Sequence, residues 1–117
     1  MRGLMVGLVL LAGPVSADDE VWTKLTSEAE VLAALDDRYL KYGAAQQWFY
    51  VSGKTLYDSG RPSWGNWRSQ GGQYCSEWPP VNNWTCYDLY LNGDGTKLRF
   101  QGYGSDITDG TYGPYKK

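Results

Sequence analysis

Turn-forming residues recur so closely after residue 37 that no helix of ordinary length fits between them, and this spacing decides the fold class. Short runs rich in Tyr, Trp, Val, Leu and Thr alternate with Gly, Asn, Asp and Pro. The punctuation falls at Ser52-Gly53, Ser59-Gly60-Arg61-Pro62, Ser69-Gln70-Gly71-Gly72, Pro79 to Asn83, and Asn92-Gly93-Asp94-Gly95. Connections this short join sequential antiparallel strands, because a parallel pair needs a crossover of about a dozen residues or more. The predicted strands are 38–42, 45–51, 54–58, 63–68, 73–78, 84–91, 96–102 and 106–112. The expected fold is mainly β: a single antiparallel meander of seven or eight strands, strongly curved or closed as a small barrel. One helix precedes it. Ser27 with Glu30 three residues on is a capping box, followed by Val31, Leu32 and Leu35 on one face, which predicts a helix over 28–37.

The first seventeen residues have a different character. Met1-Arg2 supplies a positive start, Leu4 to Ala12 is apolar except for Gly7, and Gly13-Pro14-Val15-Ser16-Ala17 ends in small residues. This is the layout of a secretory signal peptide, cleaved near Ala17, and the apolar stretch is too short to span a bilayer. The expected organisation is a signal peptide at 1–17 and one β-rich domain at 18–117, periplasmic or secreted, with no membrane insertion of the mature chain. Export places Cys75 and Cys86, the two cysteines, in an oxidising compartment, where they can form one intramolecular disulfide. Closing a loop of that size adds roughly 3 kcal/mol in the chain-entropy model.

Short loops constrain register, so the faces of the sheet can be assigned. The loop lengths pair Val51 with Lys54, Asp58 with Ser63, Arg68 with Gln73 and Leu91 with Thr96, and the disulfide sets Cys75 opposite Cys86. One face then carries Phe49, Val51, Leu56, Gly65, Trp67, Tyr74, Trp78, Tyr87, Leu89, Leu91, Leu98 and Phe100, a core. Gly65 fits a crowded point where a side chain has no room. The other face carries Asn66, Arg68, Gln73, Glu77, Asp88, Lys97 and Arg99. Across this polar face runs a row of opposed residues: Trp48, Tyr57, Trp64, Glu77 and Trp84, with Tyr103 at its end. Three explanations stand for it. It seats the apolar face of the helix, it stabilises the sheet through cross-strand aromatic pairs, or it binds a ligand or partner.

The composition removes most catalytic and nucleic-acid chemistries. There is no His, which excludes Ser-His-Asp and Cys-His pairs and the commonest zinc ligand. With 11 basic and 13 acidic residues there is no basic excess for nucleic acid. Glu77 and Asp88 share the polar face, but the register separates them by about 13 Å along the strands, beyond the roughly 5 to 9.5 Å of a glycosidase pair. Asp106 and Asp109 read as solvated turn residues. Asn92-Gly93-Asp94-Gly95 resembles part of a calcium loop, yet Tyr90 and Gln101 would fall at its first and twelfth ligand positions, so a hairpin turn is expected. Gly102-Tyr103-Gly104 is followed by no helix and is not a nucleotide loop. No catalytic residue, metal site or cofactor is expected, and the chain does not read as an enzyme.

Binding suits the residues better. Six Trp and ten Tyr supply rigid contact area with polar tips. Trp78-Pro79-Pro80 with Asn82-Asn83-Trp84 makes a stiff loop above the disulfide. The candidate binding surface is therefore Trp48, Tyr57, Trp64, Glu77 and Trp84 with Pro79, Pro80 and Asn82. The stretch Trp64-Gly65-Asn66-Trp67, Tyr74-Cys75-Ser76-Glu77-Trp78-Pro79-Pro80 and Trp84-Thr85-Cys86-Tyr87 resembles an uncharacterised family of small exported alphaproteobacterial proteins. That resemblance implies location, disulfide and a β-rich fold, and no activity. A looser likeness joins the chain to calycin-type barrels, including small periplasmic inhibitors of proteases or lysozyme. The expected function is a non-enzymatic binding module for an envelope protein or a glycan. An inhibitor of an envelope hydrolase and a structural envelope protein are the alternatives.

Overall fold

In the computed structural model, residues 20–114 are described; the stretch read as a signal peptide, residues 1–17, lies outside them. The elements in chain order are β1 (Trp22–Lys24), α1 (Glu28–Leu35), β2 (Arg38–Tyr42), β3 (Ala45–Phe49), β4 (Lys54–Asp58), β5 (Pro62–Gln70), β6 (Gln73–Glu77), β7 (Thr85–Asn92), β8 (Lys97–Gln101) and β9 (Ile107–Gly113). Strands β2 to β8 pair in sequence, β9 pairs with β8 and with β2, and the circle of eight antiparallel strands is closed. The meander expected from the turn spacing is thus a closed barrel. The short strand β1, which carries no turn or alternation signal, adds to β7 beyond the point where β6 ends. Cys75 and Cys86 lie directly opposite each other and are disulfide-bonded.

Two hairpin loops differ from the expected lengths by one residue each, in opposite senses. Between β3 and β4 the loop is Val51-Ser52-Gly53: the Tyr50 amide donates to the Lys54 carbonyl, and Gly53 takes a φ of 93° that other residues avoid. Between β4 and β5 it is Ser59-Gly60-Arg61, with Pro62 already opposite Asp58. The two slips cancel, so only β4 is turned over. Thr55 and Tyr57 face inward, Leu56 faces outward, and Val51 is an exposed loop residue at 64% rather than core. Two other loops differ by two residues in register, Gln70 opposite Gln73 and Leu91 opposite Leu98, which leaves the faces as expected.

The helix occupies one end of the barrel and not its outer face. Ser27 Oγ accepts from the Glu30 amide at 3.2 Å, and the Glu30 carboxylate accepts from the Thr26 amide at 2.8 Å, so the capping box closes one residue earlier than expected. The helix ends at Leu35, not 37, because Asp36 caps it and Asp37 takes the left-handed conformation at φ 54°. Val31, Ala34 and Leu35 are buried in one cluster with Leu40, Phe49, Trp67, Leu89 and Leu98, while Leu32 packs at its edge. The apolar stripe therefore stoppers the end where β2 starts and β3 finishes. Leu35→Ala is expected to cost about 2–5 kcal/mol, the range for emptying a filled core site, whereas Val51→Ala costs about 0.5 kcal/mol or less. Urea unfolding of both variants measures the difference.

Candidate functional site

Among the described residues, the end of the barrel opposite α1 has no such stopper. Inward-facing residues there give way from branched aliphatics to rings and small polar groups, and these enclose a cavity of about 540 Å³. Tyr42, Gln47, Tyr74 and Phe100 form its inner part, and Tyr57, Ser63, Trp64, Ser76, Trp78, Pro79, Tyr87, Asp106 and Thr108 complete the wall and rim. The volume lies in the range of about 300–1,000 Å³ typical of small-molecule sites.

Each inner group is held by the alternation of its strand and by a hydrogen-bonded network. Gln47 is buried at the centre. Its Oε1 accepts from the Tyr42 hydroxyl at 2.7 Å, and its Nε2 donates to Thr55 Oγ1 at 2.9 Å and to the Tyr74 hydroxyl at 3.3 Å. Thr55 passes its own proton to the Trp48 carbonyl at 2.7 Å. Higher up, the Trp78 indole N–H donates to Ser76 Oγ at 3.2 Å. The indole can lie against the wall because Gly65 has no side chain: a Cβ there would meet Trp78 Cε3 at 2.6 Å and the Glu77 carbonyl at 2.8 Å. The crowding expected at Gly65 is real, and Trp78 and the Glu77 carbonyl are its cause. Tyr57 packs edge-on to Trp78 with ring centres 6.1 Å apart.

Burial sets the protonation of the wall. Tyr74 is pushed up to about 12 by desolvation, and Tyr42 lies well above the ordinary phenol range for the same reason. Burial also raises Tyr87, with the negative charge of Asp106 adding to it. All three are neutral phenols near pH 7 and act as hydrogen-bonding groups, not as acids or bases.

The residues expected to bind do not form one surface. Tyr57, Trp64 and Pro79 line the cavity. Tyr57 does so because β4 is turned over, which removes it from the outer row and puts Leu56 there between Trp48 and Trp64. Trp48 stays on the outside against Tyr39, ring centres 5.1 Å apart, and Trp64 stacks on Tyr50 at 5.9 Å. Glu77 belongs to a polar cross-strand row, where Lys54 Nζ donates to Asn66 Oδ1 and Asn66 Nδ2 donates to Glu77 Oε2. Trp84 lies outside the barrel under the Arg68 guanidinium, 4.0 Å from the ring centre. Pro80 and Asn82 are exposed on the loop beyond Pro79 and do not line the cavity. Tyr103 is a hairpin tip, 98% exposed. Trp78 and Tyr87, expected in the core, are half-buried cavity walls.

Of the two carboxylates read as solvated turn groups, Asp106 is an exposed turn residue that also borders the cavity, while Asp109 sits in β9 and accepts from Arg99 Nε and Nη2 at 2.7 and 3.0 Å. The Asn92 to Gly95 segment forms the expected hairpin turn, with Asn92 Oδ1 accepting from the Lys97 amide and Asp94 from Thr96. Gln47, Ser76 and Thr108 went unnoticed in the sequence. Their signal was polarity at inward positions of otherwise apolar alternation, which marks a wetted barrel end. No family model, curated protein or solved structure matches the chain.

Gln47→Leu leaves the Tyr42 and Tyr74 hydroxyls without their buried partner and is expected to cost about 1–3 kcal/mol, read by denaturant unfolding. The raised phenols give a second expectation. Because the folded state holds these protons more tightly than the unfolded chain, their stabilisation is complete below about pH 10 and is lost as pH rises toward about 12. The expected slope is about 1.4 kcal/mol per pH unit for each such tyrosine. Unfolding measured at pH 9, 10.5 and 11.5 should show it, and Tyr74→Phe should flatten it.

Proposed function

We propose that the protein is a binding module that takes a small molecule into the open end of its barrel and performs no chemistry on it. The observation that carries this reading is the asymmetry of the barrel. One end is filled by Val31, Ala34 and Leu35, and the other keeps a cavity of about 540 Å³ lined by rings and fixed hydroxyls. A solvent-open cavity of this size, ring-lined with a satisfied polar floor, has the character of sites that take small molecules, which supports a ligand as its reason. The floor is already neutralised within itself through Gln47, and the lining offers a single carboxylate, which favours binding over acid–base catalysis. The disulfide and the signal-like N-terminus support a periplasmic or secreted setting.

The Pro79 side of the mouth fits the same reading. The Val81 amide donates to the Trp78 carbonyl at 3.1 Å, which closes a tight turn and holds Pro79 at the rim. The outer band of Tyr39, Trp48 and Leu56, which meets the cavity rim at Trp64, is the competing site. NMR of the indole N–H signals separates the two. Titration with quinoline and with a chitin disaccharide should shift Trp78 and Trp64 saturably and leave Trp48 in place. Ser63→Trp, which fills the mouth from an exposed inward position, should abolish the shifts while the fold is retained. Shifts centred on Trp48, or shifts that survive Ser63→Trp, would move the site to the outer face.

A further inference from the structure

The charge balance of the cavity is one-sided, and it narrows the chemistry of the ligand on the reading that the cavity takes one. Seven of the lining residues are aromatic: Phe100 with Tyr and Trp side chains from β2, β4, β5, β6 and β7 and from Trp78. Among the described residues no Lys or Arg lines it, and the single ionised group is Asp106, exposed at its rim. Among the described residues, Arg38, Arg68 and Arg99 lie 3.9 to 4.1 Å over the rings of Tyr112, Trp84 and Trp22, Lys24 and Lys97 face Asp88 and Glu20, Lys54 donates to Asn66, and Lys41 and Arg61 are exposed outside the lining.

Asp106 is an exposed residue of the turn before β9; among the described residues Asp58 and Glu77 also lack a counter-charge, but Asp58 accepts from the Gly60 amide and Glu77 from the Asn66 side chain. Asp109 is held by Arg99 and Asp88 by Lys24, whereas the Asp106 carboxylate has no cation and no hydrogen-bond donor among the described residues. Its position is nevertheless fixed. The Gly102 amide donates to the Asp106 carbonyl at 2.8 Å, closing the hairpin between β8 and β9. Gly102 leaves the room that the side chain uses: a Cβ there would stand 2.6 Å from Asp106 Oδ2 and 2.9 Å from the Tyr87 ring. The exposed carboxylate thus stands near the Tyr87 ring at the cavity rim, and its field reaches the phenol.

We propose that the cavity selects an organic cation, a flat positively charged ring system or a quaternary ammonium group, held between the aromatic walls with Asp106 as its counter-ion. Ring faces attract a desolvated cation through their quadrupoles, and the phenol hydroxyls of Tyr57 and Tyr87, both lining residues, make no hydrogen bond among the described residues. An anion would meet an unneutralised carboxylate and no cation to receive it. A neutral sugar would stack on the rings but would draw no preference from the charge.

The test uses three bicyclic probes of matched size at pH 8: N-methylquinolinium, neutral quinoline and naphthalene-2-sulfonate, with affinities from calorimetry and contact from the Trp78 and Trp64 indole signals. The cation should bind about three- to thirtyfold more tightly than quinoline, from the strength of a cation over ring faces, and the sulfonate more weakly than either. Asp106→Asn should reduce the ratio of cation to quinoline by about two- to fivefold, the range for a solvent-touching ion pair. Asp88→Asn, the same charge change on the outer face, should leave it unaltered. Equal binding of quinoline and the cation, or an unchanged ratio in Asp106→Asn, overturns the choice of a cation. If quinoline or the disaccharide shifts Trp78 while the cation does not, the cavity remains a binding site and the cation is wrong. If no probe shifts either indole, both readings fall.

Discussion

Leu35, Val31 and Ala34 enter one end of an eight-stranded barrel and fill it, and the rest of the architecture is arranged around that contact. A barrel of eight strands has an interior about as wide as the side chains that point into it, so it either packs solid or keeps room for one small ligand. Here a helix of eight residues does the packing at one end. Its stripe meets Phe49, Trp67 and Leu98, and the tertiary contact, more than helix propensity, keeps so short a helix in place. Because the helix reaches one end alone, the inward positions farther along have no apolar partner, and they carry Gln47, Ser76 and Thr108 instead.

The polar groups at the boundary between filled and open halves have to be satisfied by each other. Gln47 does this with both ends of its amide, taking a proton from Tyr42 and giving protons to Thr55 and Tyr74. An unpaired amide at that depth would cost on the order of 1–3 kcal/mol. The network therefore separates a dry core from a cavity whose floor is polar yet fully engaged. It leaves the aromatic faces and one carboxylate to meet whatever enters.

How far this could be read from the sequence depended on parity more than on composition. The strands were legible because their punctuation is dense, and the Cys75–Cys86 pairing fixed the register of β6 against β7 without ambiguity. The β4 strand was misread because Val51 and Pro62 are both tolerable in a turn or a strand. A three-residue loop ending in a left-handed glycine looks, in sequence, like a two-residue one. A slip of one residue exchanges the faces, so Tyr57 was assigned outside and Leu56 inside. Closure was harder. Nothing local in β2, β8 or β9 announces that the last strand returns to pair with β2, and without closure a cavity has no meaning. Asp106 reads in the sequence as a turn carboxylate and is one; only the return of the chain past Tyr87 brings it to the cavity rim as well.

The aromatic excess of the chain divides along these lines. Outside, rings are met by cations or by each other: Trp84 under Arg68, Trp22 under Arg99, Trp48 against Tyr39. Such stacks screen the ring faces from solvent while the charged head stays wet. Arg99 goes further, since it also holds Asp109 in a two-point ion pair and so joins β1, β8 and β9. Inside the mouth the rings and a carboxylate are present in the same combination, ring face and anion together, but the cation is missing from the set. On the outer face the chain supplies the positive partner for a Trp–Asp pair from its own β8. At the mouth, Tyr87 and Asp106 would offer the same two contacts to the cation proposed above.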